Sequence, residues 1–235
     1  MPDFEGDAKG LGFLMHEQVV ALSVHIDKFA KSKVPNYSDR LVSDAMKNTE
    51  KAKGRLLYYF PLSDTALKEG AADSWIGWHN DSGFLTALAG DMYVNDETGE
   101  KIDCPDPKAG LYVVDREGES VKVDIPSDCM AVQLGECVQI VTGGALSATP
   151  HCVRGATPAP GSTVKVARIS HPCFIDTIPQ FPLTMPAGVT MNEVLGSALD
   201  DSKVPPLKDR WTEDGMIFGD FLQKTFERYY EHNKK

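Results

Sequence analysis

Apolar residues change period along this chain. Over residues 10–31, Leu11, Leu14, Met15, Gln18, Val19, Leu22, Ile26 and Phe29 recur at helical spacing and predict an amphipathic helix that Pro35 stops. Residues 38–48 read as a short second helix with Ser38 as N-cap. Residues 55–60 are an aromatic-rich strand ended by Pro61, with one of Tyr58 and Tyr59 facing in and the other out. A polar loop over 62–73 leads to a strand over 74–80, a turn at Gly83 and a returning strand over 84–88. Residues 89–109 carry Asp91, Asn95, Asp96, Glu97, Asp103, Asp106 and two prolines, and read as an exposed loop whose acids do not fit an EF-hand.

From Gly110 the period is two. Short strands are predicted over 111–115, 120–125, 130–134, 137–142 and 163–170, with glycines at 118, 135, 143 and 144 between them. That rhythm belongs to a sandwich or barrel. Residues 172–186 are proline-rich. A short helix is expected over 191–198, with Thr190 capping and Glu193 completing a capping box. Pro205-Pro206 breaks the chain, and a final helix over 213–231 carries Ile217, Phe218, Phe221, Leu222, Thr225, Phe226 and Tyr229 on a packing stripe. The class is α+β, mainly β, in one domain over 1–235. Its core spans about 54–180, with N-terminal helices over 10–48 and a C-terminal helical extension over 189–231.

Composition narrows the function classes. The 235 residues are 42% apolar and 25% charged, ordinary for a globular domain. A net charge of −10 argues against a nucleic-acid surface. No apolar run reaches membrane-spanning length, and the acidic start is no secretory signal. Five cysteines without regular spacing do not form a disulfide framework, so a reducing, cytoplasmic compartment is expected.

The candidate chemistry begins with two His-x-Asp tripeptides. On a strand, residues two apart share a side, so His79 and Asp81 converge on one point. They supply two of the three ligands of a facial triad that holds Fe(II). On a helix the same spacing turns through about 200°, so His25 and Asp27 cannot share a metal and read as a solvated face. His16 and His171 read as structural, and Trp75, Trp78, Phe84 and Trp211 mostly as core. His151 lies in the β-rich region after a proline. Arg168 and Ser170 share a strand face. If that face looks inward, the arginine needs an anion, and a dicarboxylate suits its fork; if the strand is an edge, Arg168 faces water.

Taken in order, Tyr59, His79-x-Asp81, His151 and Arg168-x-Ser170 resemble the isopenicillin N synthase-like group of 2-oxoglutarate/Fe(II)-dependent dioxygenases. Trp78-His79-Asn80-Asp81-Ser82-Gly83-Phe84-Leu85-Thr86 is similar to that family's His-Thr-Asp-x-Gly-x-Leu-Thr. Gly110-Leu111-Tyr112-Val113 is similar to Gly-Leu-x-Val, and Gln133-Leu134-Gly135-Glu136 to Asn-x-Gly-Asp. The stretch from Gly143-Gly144 to His151-Cys152-Val153-Arg154 is similar to Asn-Gly…His-Arg-Val. Residues 48–60 and 148–154 resemble a plant and protist subgroup of such proteins. The resemblance covers roughly residues 10–180. Two departures stand out. Leu57 occupies the family's asparagine position, and the chain begins close to the first long helix, as a shortened or minimal version would.

The resemblance implies a double-stranded β-helix (jelly-roll) core. It implies iron bound by His79, Asp81 and His151, with 2-oxoglutarate held by Arg168, Ser170 and Tyr59. It implies an oxidoreductase that uses O2, with ascorbate as reductant, to hydroxylate or desaturate a small molecule while 2-oxoglutarate becomes succinate and CO2. The retained carboxylate Asp81 argues against halogenation. A monomer acting on a small-molecule substrate, without nucleic acid or membrane, is expected. The alternatives are an Fe(II) oxidase of the same fold without 2-oxoglutarate, as in 1-aminocyclopropane-1-carboxylate oxidase, and a non-catalytic β-barrel binding module.

Overall fold

A computed structural model describes residues 3–69, 75–197 and 204–232. The fold is mixed α/β and mostly sheet. One four-stranded sheet runs in the order Lys51–Gly54, Pro172–Asp176, Leu85–Ala89, Met130–Leu134. A second runs Ile76–His79, His151–Arg154, Gly110–Val114, Ser120–Val123. A third runs Leu57–Tyr59, Val166–Ser170, Met92–Asn95, Lys101–Ile102. The first three strands of the first and third sheets have the same neighbour order and are consecutive in sequence, pair by pair. Three long segments, 51–59, 85–95 and 166–176, therefore run side by side through both and break at 55–56, 90–91 and 171. All pairings between these strands are antiparallel.

The main core lies between the first sheet and the helices. Met15, Val19 and Ile26 of the helix Phe4–Lys33 meet Phe84, Leu85, Ile175, Ile140, Trp211 and Phe221. The buried line on that helix is Met15, Val19, Ser23, Ile26 and Ala30, whereas Leu11, Leu14, Leu22 and Phe29 of the predicted stripe are exposed. The sheet covers a narrower strip than the sequence offers.

Several predicted elements differ. The second helix is Leu41–Lys47, and neither Ser38 nor Arg40 supplies a side-chain cap. Asp27 does so from the neighbouring helix. Its carboxylate accepts from the Val42 and Ser43 amides at 3.0 and 2.9 Å, and from the Tyr37 hydroxyl at 2.5 Å. Asp27 is buried while His25 is exposed, so only half of that tripeptide is the solvated face expected of it. The polar stretch over 62–69 holds a helix, Asp64–Glu69, whose Ser63 accepts from the Ala66 amide; residues 70–74, also within the predicted loop, lie outside those described. Residues 89–109 include the strands Met92–Asn95 and Lys101–Ile102 rather than an exposed loop alone. Residues 137–141 of the strand predicted over 137–142 fall in the helix Glu136–Val141, with Thr142 as its C-cap. All six of its residues are buried, so no period distinguishes helix from strand there. Pro172–Asp176, at the start of the proline-rich stretch and not predicted as a strand, is an inner strand. Its proline is the first residue, where a missing N–H is tolerated.

The final helix is Phe218–His232, preceded by the strand Met216–Ile217, which pairs with Pro182–Leu183. The helix Met191–Gly196 carries the predicted capping box, in which Thr190 and Glu193 bond reciprocally. No helix among the described residues is long and apolar enough to cross a membrane.

Candidate metal centre

His79 closes the strand Ile76–His79 and lies directly opposite His151, the first residue of His151–Arg154. Their rings are 4.0 Å apart between centroids, tilted by 52°. Asp81, two residues on, brings Oδ1 to 3.9 Å from Nε2 of His151. One ligand atom from each of the three lies within 4.8 Å of the others. Ligands about 2.1 Å from a shared ion sit about 3 Å apart in a facial arrangement, so small side-chain rotations close the set.

The imidazoles are oriented from behind. Nδ1 of His79 donates to the Gly77 carbonyl at 2.9 Å. Nδ1 of His151 faces the Thr149 carbonyl at 3.1 Å and the Gln133 side chain. With the proton on Nδ1, each Nε2 keeps a lone pair for ligation. Burial, followed by the neighbouring His79, pushes the His151 pKa down to about 4 against the pull of Asp81, so the ring is neutral and ready to ligate near pH 7.

The turn carrying Asp81 is pinned to the helix Glu136–Val141. Amides of Glu136 and Cys137 donate to the carbonyls of Asp81 and Gly83 at 2.8 and 3.1 Å, which also satisfies the helix's first turn. The approach needs glycine on both sides. A Cβ on Gly135 would fall 2.1 Å from the Gly83 carbonyl oxygen, and one on Gly83 would fall 1.9 Å from Asp176 Oδ1. Asn80, between His79 and Asp81, is held as well. Its amide donates to the Tyr229 hydroxyl at 3.1 Å and its side chain to Glu136 Oε1 at 3.0 Å. Glu136 is in turn gripped by both terminal nitrogens of Arg210, a buried pair that ties the C-terminal helices to the motif. Sequence reading missed Glu136, Arg210 and Tyr229 in this role; an acid and an arginine far apart in the chain give no local sign of pairing.

A cavity of about 250 Å³ opens in front of the triad. All six predicted site residues line it: Tyr59, His79, Asp81, His151, Arg168 and Ser170. The strand Val166–Ser170 is internal, between Leu57–Tyr59 and Met92–Asn95, so the edge-strand alternative for Arg168 does not apply. Opposite residues share a face, and Tyr59 and Tyr93 both pair with Arg168. The guanidinium carbon lies 4.8 Å from the centre of the Tyr59 ring. Tyr58 points outward to Asp96. Ser170 stands two residues beyond Arg168 on the same wall, as its spacing predicts.

Arg168 is 7% exposed and already has one anionic partner, from a residue read as part of a solvated loop. Its Nε donates to Asp91 Oδ2 at 2.5 Å, while Nη1 is buried without a hydrogen-bond partner. Burial pulls the guanidinium pKa down, but Asp91, with Tyr59 and Tyr93, holds it above the usual arginine value. An acid facing an arginine across two strands was the available signal, hidden because the segment's period was not read as a strand.

Of the aromatic residues, Phe84 and Trp211 are core. Trp75 packs near Tyr59 and Tyr93 and donates to the Phe60 carbonyl.

No protein-family model matches the chain, and no curated protein matches it. Solved structures do. A 2OG-Fe(II) oxygenase family protein from Caulobacter crescentus superposes with a TM-score of 0.59 at 21% identity, over 97% of this chain and 60% of that one. The chain has the fold of that oxygenase. JOX2, in complex with 2OG, Fe and JA, superposes at 0.56 with 16% identity, over 95% of this chain and 53% of that one. A full-length Neurospora crassa protein, in complex with alpha-KG and 5-formyluracil, gives 0.55 at 16% identity, over 94% and 60%. At these identities the likeness shows the jelly-roll fold. The chain spans 53–60% of the length of these three structures.

Proposed function

We propose that this chain is a non-haem Fe(II) oxygenase that couples decarboxylation of 2-oxoglutarate to hydroxylation or desaturation of a small molecule. The observation that carries this reading is one cavity lined by two imidazoles and a carboxylate that converge and by a buried arginine. The donor set suits Fe(II): two neutral nitrogens and one anionic oxygen on a single side leave other coordination positions open. Nη1 of Arg168, buried without a partner, suits a carboxylate oxygen. Iron, when bound there, supplies the oxygen chemistry.

The remaining work falls to the chain. His79, Asp81 and His151 hold the metal. Arg168, with Tyr59 against its face and Ser170 beside it, orients the distal carboxylate of the co-substrate. Leu88, Leu111, Val123 and Phe174 add apolar surface to the same cavity. The strand order supports a double-stranded β-helix of the isopenicillin N synthase-like type, and the 2-oxo acid bound in the Neurospora crassa protein and in JOX2 adds support for the co-substrate. We read the chain as one domain and a cytoplasmic monomer, with O2 as oxidant and ascorbate keeping the iron reduced.

A second reading keeps the iron and omits 2-oxoglutarate. Asp91 favours it, because Arg168 is already paired. Anaerobic titration of the Fe(II)-loaded protein with 2-oxoglutarate decides between them. A metal-to-ligand absorption band should appear, and Arg168→Ala should abolish it at millimolar 2-oxoglutarate while iron stays bound. A wild-type protein that binds iron but develops no band supports the second reading, and one that takes up no iron supports a binding module.

A further inference from the structure

We infer that Asp91 sets how tightly the distal carboxylate of the 2-oxo acid is held, by occupying one edge of the Arg168 guanidinium and placing a fixed negative charge beside the co-substrate. The inference rests on the proposed function and concerns a residue outside the six predicted for the site. Asp91 sits at the break between the strands Leu85–Ala89 and Met92–Asn95. Tyr93, two residues on, lies directly opposite Arg168, and Asp91, just ahead of that strand, lines the same cavity. Its carboxylate takes the Nε hydrogen of Arg168 and leaves Nη1 without a partner.

Two consequences follow for a ligand. The carboxylate it brings meets an arginine whose charge Asp91 already offsets. It also meets Asp91 itself, in a place where water screens little, since the Arg168 and Asp91 side chains are 8% and 28% exposed. Asp91 therefore acts in two senses. It fixes the guanidinium in place, and it weakens the grip on a dicarboxylate relative to a 2-oxo acid that lacks the distal charge. Specificity is the difference between those two affinities.

The experiment is anaerobic titration of the Fe(II)-loaded protein with 2-oxoglutarate and, separately, with 2-oxobutanoate, which has the same chelating end and no distal carboxylate. The dissociation constant is read from the metal-to-ligand band and from calorimetry. Asp91→Asn keeps the shape and an oxygen to accept from Nε while removing the charge. It should tighten 2-oxoglutarate about tenfold and move 2-oxobutanoate by less than about twofold. Asp91→Ser, smaller but still an acceptor, should act in the same direction if the asparagine variant folds poorly. Weaker or unchanged 2-oxoglutarate binding in both variants overturns the inference and leaves the oxygenase reading standing. So does a parallel change for the two acids, which makes Asp91 a purely structural partner. If neither acid produces a band with wild type or variants, the oxygenase reading fails and takes this inference with it.

Discussion

The chain carries the pattern His-x-Asp twice, and the two copies have opposite fates. At His79 and Asp81 the backbone leaves a strand, both side chains turn to one side, and His151 meets them from the neighbouring strand. At His25 and Asp27 the backbone is helical. There the imidazole faces water and the carboxylate turns into the protein, where it caps a second helix. The residue types and spacing are identical. What differs is the rotation per residue, so the backbone period decides whether the pair can act as one chelating unit or as two separate groups.

The contrast can be broken at either copy. Asp81→Ala should have the largest effect. Losing an outer-sphere partner of a metal ligand costs about 10–100-fold in affinity, and losing a ligand should exceed about 100-fold, measured with Fe(II) or redox-inert Zn(II). The fold should survive, because Asp81 is at the cavity wall. Asp27→Ala reverses the pattern. It leaves the Val42 and Ser43 amides and the Tyr37 hydroxyl without their acceptor, and should cost about 3 kcal/mol in urea unfolding while metal affinity stays unchanged. Equal stability loss in the two variants would erase the distinction.

A third test uses protons on the metal-free protein. The His151 pKa is pushed down to about 4 in the folded state and returns to about 6.5 on unfolding. Between those values the unfolded chain holds the proton and the folded chain does not. Stability should therefore fall as pH drops from about 6.5 to about 4, by on the order of 1–3 kcal/mol. His151→Gln should flatten that slope, whereas His25→Ala, at an exposed position, should leave it as it is. A slope that persists in His151→Gln would assign it to other groups.

The convergence of His79 and Asp81 was legible because a two-residue spacing is local, whereas His151 entered only through the family resemblance. The strand over 163–170 alternates clearly, but its period left Arg168 either inward or on an edge, and the pairing on both sides decides that. Groups that act across the fold were not legible. Asp27 caps a helix that it does not belong to. Asp91 sits in a polar, proline-containing stretch whose strand emerges only through pairing with Val166–Ser170. Glu136 and Arg210 meet over 74 residues of chain. The helix Glu136–Val141 is buried on every side, which removes the polar positions that reveal a period. Pro172 opens a proline-rich stretch, yet it starts an inner strand. In each case the deciding partner is distant in sequence.

That inner strand has a consequence for how the protein is made. Cys173 pairs with Gly54 on one side and with Ala87 on the other. Until residue 176 has left the ribosome, Lys51–Gly54 and Leu85–Ala89 have no strand between them. The loop closures needed are long, which slows folding. His79 and Asp81 are synthesised early but wait for His151 and for a closed sheet to hold them. On the proposed function, iron loading should therefore follow the emergence of residue 176. Nascent chains stalled before residue 151 should show no metal-dependent protection from proteolysis.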